Sequence, residues 1–566
     1  MIAAWLILQV VDIVQDILSL PEWAGKFVLL LLVIGLPLAL IFAWAFELTP
    51  DGIKRESEVD RAQSIQPQTG KKLDPVRDTE LVEAATEAVA CEAVEQAEQT
   101  EEIDNSIAVL PFVNMSDEAS NEYFSDGISE ELLILLTKVT DLRVIARTSS
   151  FAFKGKDATI ADVARELNVT HVLEGSVRKS GNQVRITAQL IRASDSTHLW
   201  SESYDRTLED IFTIQDEIAV KVVAQLKITL LGAAPTMETA NPTAYALILQ
   251  ARQVGNQGTP ESLEQSIVLV KQALEIDPEY ANGWATLADF YMARRFHEGW
   301  DHGDIRSLAR EATNHALSIN PSSATAHMLL GLISMVYDCD LAAAARHYGR
   351  ALGVDPTNTF ILRQASRLNR VFGRATAAIV TGNYLVTVDP LNPLIHVNLG
   401  WAYVSGGRWD EAITAFRAAL KLSPRVIHAQ VGIGVTLLRM GEPEAALIAI
   451  QQESFDIYKQ AGLVIAYHAL GKESESDAVL AYFIENYGNS RAAIIAAVLS
   501  FRGEADRAFV WLDKAVQNID GDLVSWLTGG FFFKVHDDPR WLLFLGSIGI
   551  SPTQLDAIEF NVTLPE

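Results

Sequence analysis

The residues of this 566-residue chain that could do chemistry are few and scattered. Ser149 and Ser150 stand beside Arg147, a grouping that could serve a nucleophile loop, but neither a partnered His nor a glycine elbow accompanies them. Just downstream, Phe151, Phe153, Lys154 and Lys156 interleave aromatic and basic side chains, a pattern that can hold an anion or a partner edge. The same pattern arises where a strand-end loop packs its phenylalanines inward, which is the reading adopted. His297, His302, His315, His327 and His347 show no HExxH or paired ligand spacing and read as surface or inter-helix residues. Cys91 and Cys339 are the two cysteines, far apart and in different regions, so neither a disulfide framework nor a Cys-based zinc site is written. There is no P-loop and no nucleotide-binding glycine fingerprint, and Gly434 belongs to a repeat helix. No catalytic, cofactor-binding or metal-binding residue is assigned, no cofactor is expected, and the chain reads as a binding protein that is not an enzyme.

The elements that position these residues are set by a repeat. Pro321, Pro356, Pro390 and Pro424 close successive segments at spacings of 35, 34 and 34 residues, each just beyond an Ala-rich amphipathic stretch. In the clearest unit, Leu399, Gly400 and Tyr403 fall on one helix and Ala412, Phe416 and Ala419 on the next. Small Gly400 and Ala412 let the helices approach, while Tyr403 and Phe416 fill the space between pairs. The pattern resembles the tetratricopeptide repeat. Each unit leaves an apolar face that the next must cover, so the units stack into an all-α solenoid over 240–535, in seven or eight repeats, with a groove free for a protein or peptide partner. The unit between Pro278 and Pro321 is lengthened by an insertion around Phe296 to Asp304, and Asp537-Asp538-Pro539-Arg540-Trp541 opens a cap over 536–566.

A formal charge of −27 and a pI near 4.8 argue against a nucleic-acid surface, which needs a basic face. The hydrophobic share of 49% owes much to the first fifty residues. Phe27 to Phe46 is an uncharged run of 20 residues, long enough for a bilayer core of about 30 Å, with Trp23 and Trp44 as interfacial anchors. Ile2 to Leu20 carries Asp12 and Asp16 toward its C-terminal end, so residues 1–47 read as a membrane hairpin, the alternative being one span after an interfacial helix. A cleaved signal peptide is not expected, since no basic start precedes the run. Lys54, Arg55 and Arg61 follow the span and only Lys26 precedes it, which places the soluble part in the cytoplasm beneath a bacterial inner membrane, with the periplasm as alternative. Residues 48–104 read as an acidic flexible linker, since from Asp78 to Asp104 there is no Lys or Arg.

Residues 105–232 read as an α/β domain with a mixed sheet. Ser106 to Phe112 suits a buried strand, Ser125 and Asp126 an N-cap, Leu142 to Ala146 a second strand, Ile160 to Leu167 a second helix and His171 to Val177 a third strand. Ser180-Gly181-Asn182 turns into Gln183 to Arg192, whose alternation gives one buried and one wet face, then His198 to Tyr204 and a helix from Leu208 to Leu226 follow.

The motifs Ile107-Ala-Val-Leu-Pro-Phe, Glu122-Tyr-Phe-Ser-Asp-Gly, Arg147-Thr-Ser-Ser-Phe-Ala-Phe-Lys-Gly-Lys and Leu173-Glu-Gly-Ser-Val-Arg resemble the TolB-like amino-terminal domain, and the segment from Leu36 to Pro50 resembles the membrane hairpin of that family. The resemblance implies a bacterial membrane-anchored TolB-like module joined to tetratricopeptide repeats, commonly attached to a separate output module such as a cyclase, a kinase or a winged helix. The expected fold class is thus multidomain: an N-terminal transmembrane α-hairpin, an α/β domain and a C-terminal solenoid. The expected function is a membrane-anchored, non-catalytic adaptor or sensor. The alternatives are a regulatory part of a membrane nucleotide cyclase or kinase system and a periplasmic envelope-assembly factor.

Overall fold

The computed structural model describes residues 46–49, 52–55, 105–116, 121–139, 141–226, 240–296, 302–527 and 531–565. Two units separate, Met1–Gln99 and Thr100–Glu566. In the first, β1 (Phe46–Thr49) pairs antiparallel with β2 (Gly52–Arg55), Phe46 opposite Arg55 and Thr49 opposite Gly52. This corrects the expectation that a membrane helix runs through Phe46 into a structureless linker. In the sequence Pro50, Asp51 and Gly52 are residue types that stop a helix and favour a turn, a local signal that the apolar run before them does not outweigh.

The remainder of the expected membrane hairpin, residues 1–45, lies outside the described residues, as does the acidic stretch 56–104. Among the described residues no helix is long and apolar enough to cross a membrane. Over the described residues the fold class is corrected to an α/β domain followed by a helical solenoid, and no described helix belongs to the expected transmembrane hairpin.

In the second unit the α/β domain comprises β3 (Ser106–Val109), β4 (Val113–Asn114), α1 (Glu122–Thr137), β5 (Arg143–Val144), α2 (Arg147–Phe151), α3 (Ile160–Leu167), β6 (His171–Ser180), β7 (Gln183–Arg192), β8 (Thr197–Thr207) and α4 (Ile211–Gln225). The sheet order is β5-β3-β6-β7-β8, with β4 also on β6; β3 runs parallel to β5 and β6, whereas β6, β7 and β8 are antiparallel. Parallel strands need crossovers, and α1, α2 and α3 supply them. One sheet face packs Leu173, Ile186 and Leu190 against Ile128, Leu132 and Leu135 of α1 and Ile214 and Ile218 of α4. The other covers Ala108 and Val172 with Val163 and Leu167 of α3 and with Phe153. Helix α1 starts at Glu122, earlier than Ser125 suggests, and Ser125 lies inside it, buried.

The solenoid contains eight helix pairs among the described residues: α5 (Pro242–Gly255) with α6 (Pro260–Ile276), α7 (Ala281–Ala293) with α8 (His302–Ile319), α9 (Ala324–Val336) with α10 (Leu341–Val354), α11 (Thr359–Val371) with α12 (Ala375–Val388), α13 (Pro393–Ser405) with α14 (Trp409–Leu422), α15 (Ala429–Met440) with α16 (Pro443–Gln451), α17 (Asp456–Ala469) with α18 (Glu473–Tyr487), and α19 (Ala492–Arg502) with α20 (Ala505–Gln517). Pro321, Pro356, Pro390 and Pro424 follow the ends of α8, α10, α12 and α14, where no helix can continue through them. Asn241, Thr259, Ser323, Asp340, Asn358 and Asn392 cap helix starts with side-chain oxygens. Packing within pairs depends on glycine. A Cβ on Gly400 would meet the fully buried Phe416 ring at 2.6 Å, and one on Gly331 would meet Tyr348 at 2.5 Å.

After α20 come α21 (Leu523–Leu527), α22 (Pro539–Ser547) and α23 (Pro552–Asp556). This terminal region packs back on the middle repeats. Arg374, between α11 and α12, donates to the carbonyls of Phe560 at 3.0 Å and Ile558 at 2.8 Å, and the Phe560 ring meets Phe372 edge-on at 6.3 Å.

Candidate binding groove

The first helices of successive pairs, α7, α9, α11, α13, α15, α17 and α19, each touch the next, so they form the inner wall of a curved stack. Titratable side chains gather on this wall although they come from distant parts of the sequence. Arg363, Arg367 and Arg370 project from α11, Asp289 from α7, Arg295 from the turn after α7, His428 from the start of α15 and Tyr458 from α17. The terminal region faces them: Arg367 donates to Ser525 Oγ of α21 at 3.0 Å, across 158 residues of sequence.

Enclosure by protein governs the electrostatics. Burial first, and then the neighbouring Arg367 and Arg295, bring Arg363 down to about 10. Burial and Arg367 do the same to Arg370, also to about 10. Both remain cations at neutral pH. Burial pushes His428 down to about 4, with Arg367 and Arg370 adding to the effect against Asp522, so its imidazole is neutral. Asp289 is solvent-exposed by its own surface but enclosed by the surrounding helices, and that enclosure raises its pKa despite Arg295, Arg252 and Arg363 nearby. Asp522 pairs with Arg491 at 3.0 Å. The wall thus keeps an excess of positive charge inside an acidic protein.

A second constellation joins the α/β domain to the repeats. Ser149 Oγ donates to Asp389 Oδ1 at 2.7 Å, the Ser149 amide donates to the same oxygen at 3.1 Å, and the Leu391 amide donates to Ser149 Oγ at 2.8 Å. Beside it the Ala146 amide donates to the Val388 carbonyl at 2.7 Å. At the other end of the interface Gln215 Nε2 donates to Tyr245 Oη at 3.1 Å, and Arg252 lies 3.4 Å from Glu131 and 3.8 Å from Glu130. Burial pushes Glu131 up to about 7 even with Arg252 beside it, whereas on Arg252 the pull of Glu130 and Glu131 exceeds the opposing effect of burial and raises it. The shared direction means that Arg252 stays charged while Glu131 titrates.

The remaining candidates are spread out. Ser149 is buried in the clasp with Asp389 and has no imidazole partner, and Ser150 Oγ donates to the Ile145 carbonyl. Arg147 pairs with Glu130 at 2.8 Å and lies over Phe151 at 4.3 Å. Lys154 is held by Glu122 at 2.8 Å and Asp126 at 2.5 Å; burial works against its ammonium, but these two carboxylates more than offset it and raise its pKa. Phe153 packs inward and Lys156 lies over it at 5.7 Å. The His315 ring lies tilted against Trp284, with centroids 4.1 Å apart. His327 and His347 do meet, Nδ1 to Nδ1 at 3.3 Å, but burial and then surrounding cations, Arg350, Arg346 and Arg310 among them, depress His347 to about 4. Among the described residues no group of three or more His, Cys, Asp or Glu could hold a metal ion. His297 and the side chain of His302 lie outside the described residues.

The residues that the sequence reading missed are the α11 arginines. Their spacing of four and then three residues was the available signal, since it puts a basic stripe on the first helix of a repeat.

Fold and groove together define a helical-repeat protein with an α/β domain seated on its repeats. Residues 397–460 match the tetratricopeptide repeat family model, so the solenoid carries repeats of that type. Residues 103–221 match the model of the HilA/YgeH-like transcriptional regulator, second domain, in place of the TolB-like module that the motifs resemble. Over 187 residues the chain is 45% identical to "Putative adenylate cyclase 3" of Rhizobium meliloti (strain 1021), covering 32% of this chain and 32% of that protein. The chain thus spans about a third of the curated relative it matches. Solved structures similar to parts of the chain include pilF of Pseudomonas aeruginosa, at 19% identity and a TM-score of 0.30, covering 38% of this chain and 94% of that one. A tetratricopeptide repeat protein of Parabacteroides merdae ATCC 43184 is 14% identical with a TM-score of 0.35, covering 48% and 100%.

Proposed function

We propose that this chain is a non-catalytic adaptor whose repeats bind another protein through the inner wall, while the α/β domain, clasped to the repeats, carries that binding to an output. The observation behind this reading is the stack of eight helix pairs with a charged, accessible inner wall and Asp289 exposed upon it. Partner contact at this wall, rather than on the outer helices, is testable by site-specific photocrosslinking in the cell of origin. A photoreactive residue at Asp289 should capture a discrete protein that the same residue at Val510, exposed on α20, does not. Equal capture at both positions, or none at Asp289, sinks the reading.

A second reading has one observation in its favour, the 45% identity over 187 residues to a putative adenylate cyclase. Here the region regulates a nucleotide cyclase. Adding the purified chain to such a cyclase and finding no change in turnover over a range of concentrations would remove it.

A further inference from the structure

The arginine stripe of α11 has features that protein docking alone does not explain. Arg363, Arg367 and Arg370 recur at i, i+4 and i+7, so they share one helix face. All three are half-buried and none closes an ion pair among the described residues. Arg367 donates to Gln364 Oε1 at 3.1 Å and to Ser525 Oγ at 3.0 Å, both neutral, and Arg363 lies over the Phe360 ring at 4.6 Å. The chain has 72 acidic residues against 45 basic ones, yet carboxylates near the stripe are engaged elsewhere: Asp522 with Arg491, and Asp389 with Ser149 and with Asn392 at 2.7 Å. Asp289 is the one nearby carboxylate left to them, within reach of Arg363 and raised toward its neutral form by burial, so three guanidinium groups are held together with incomplete compensation, which costs free energy unless a ligand supplies the missing negative charge.

A second observation points the same way. The Tyr348 hydroxyl is fully buried, has no hydrogen-bond partner among the described residues, and lies within electrostatic reach of Arg367 and Arg295. A buried hydroxyl left in that state forfeits about 1–3 kcal/mol.

We infer that the inner face of α11 is a binding site for a small phosphate-bearing molecule, with Arg363, Arg367 and Arg370 as its guanidinium donors. A phosphate spreads up to two charges over three oxygens and can accept several guanidinium forks at once, whereas a lone carboxylate neutralises one arginine. From Arg363 to Arg370 the stripe spans roughly 10 Å at about 1.5 Å per residue, a length suited to one or two phosphate groups rather than to a nucleic-acid strand. Helix α21 stands opposite, with Ser525 against Arg367, and this enclosure favours a compact ligand. The inference goes beyond the adaptor reading and does not depend on it.

Isothermal titration of the full chain with sodium pyrophosphate, at constant ionic strength, tests it. Saturable single-site binding is expected, weakened about tenfold or more by Arg367→Gln and by Arg370→Gln. It should be unchanged by Arg417→Gln, which alters an exposed arginine of α14. Circular dichroism melts should show both groove variants folded, since each removes a repelling charge. Three results would overturn the inference: no saturable heat at millimolar pyrophosphate, an equal loss in the Arg417 variant, or binding of a phosphoserine peptide with none of pyrophosphate. None of these bears on the photocrosslinking outcome.

Discussion

Ser149 of α2 and Asp389 at the end of α12 are joined by two hydrogen bonds to one carboxylate oxygen, at 2.7 and 3.1 Å, across 240 residues of sequence. Asp389 is almost wholly inaccessible, and burial raises its pKa against the opposing pull of Ser149 and Asn392. Ser149→Ala removes one donor to the carboxylate and the acceptor of the Leu391 amide, which should lower stability by about 1–3 kcal/mol. Hydrogen exchange should rise in α2 and over 388–392 together. Faster exchange in α2 alone would mean that the clasp does not couple the two regions.

Glycine packing inside the pairs gives a prediction with an internal control. Gly331→Ala puts a Cβ into the Tyr348 ring and should cost about 1–3 kcal/mol. Gly349, one residue past Tyr348 on α10, has nothing within 4 Å of an added Cβ. Gly349→Ala should therefore stabilise the chain by about 0.5–1 kcal/mol through helix propensity. Urea midpoints of the two variants must move in opposite directions; a shift of the same sign would refute the packing account.

These positions also show what was legible in the sequence. The repeat whose period the prolines announce made Gly400 legible as a point of close approach and Phe416 as filler between pairs, and the structure puts the Phe416 ring against Gly400 of its own pair and Gly432 of the next. The helix Ile160 to Leu167 was legible with the bounds the structure gives it, and the structure adds Thr159 as its cap. Helix α2 was not, since five residues are too few for periodicity to speak. Nor could any local rule foretell that Ser149 would find Asp389, or that Phe560 would reach Phe372, because such contacts depend on how the whole stack curves. The apolar run before Phe46 shows the converse error, in which composition alone was extended into a strand.

Glu131 links stability to pH. Its folded pKa, pushed up to about 7 by burial, exceeds an unfolded value near 4.5, so between the two the folded chain binds more protons than the unfolded one. Its contribution is full below about pH 4.5 and is lost as pH rises through about 7, a change on the order of 3 kcal/mol. Denaturation followed from pH 5 to pH 8 should show this decline in the parent and a flatter profile in Glu131→Gln. Parallel profiles would show that Glu131 is ionised throughout. Asp520, also pushed up to about 7 by burial and by Asp522, declines in the same window and remains in both proteins, so the comparison isolates Glu131.

The terminal region should act as a brace for the middle repeats rather than only as a cover for the last pair. Phe560 is buried against Phe372, and the carbonyls of Phe560 and Ile558 accept from Arg374 in the α11–α12 turn. Phe560→Ala removes a buried ring and should cost about 3 kcal/mol, with the loss expressed where the ring packs. Arg374→Ala breaks both carbonyl contacts from the other side while leaving the ring in place, and should cost less. If the two act on one brace, the double variant will cost less than the sum of the singles, and amide exchange across 368–378 will quicken in all three. Strict additivity, with exchange quickened only after residue 536, would confine the region to covering α19 and α20.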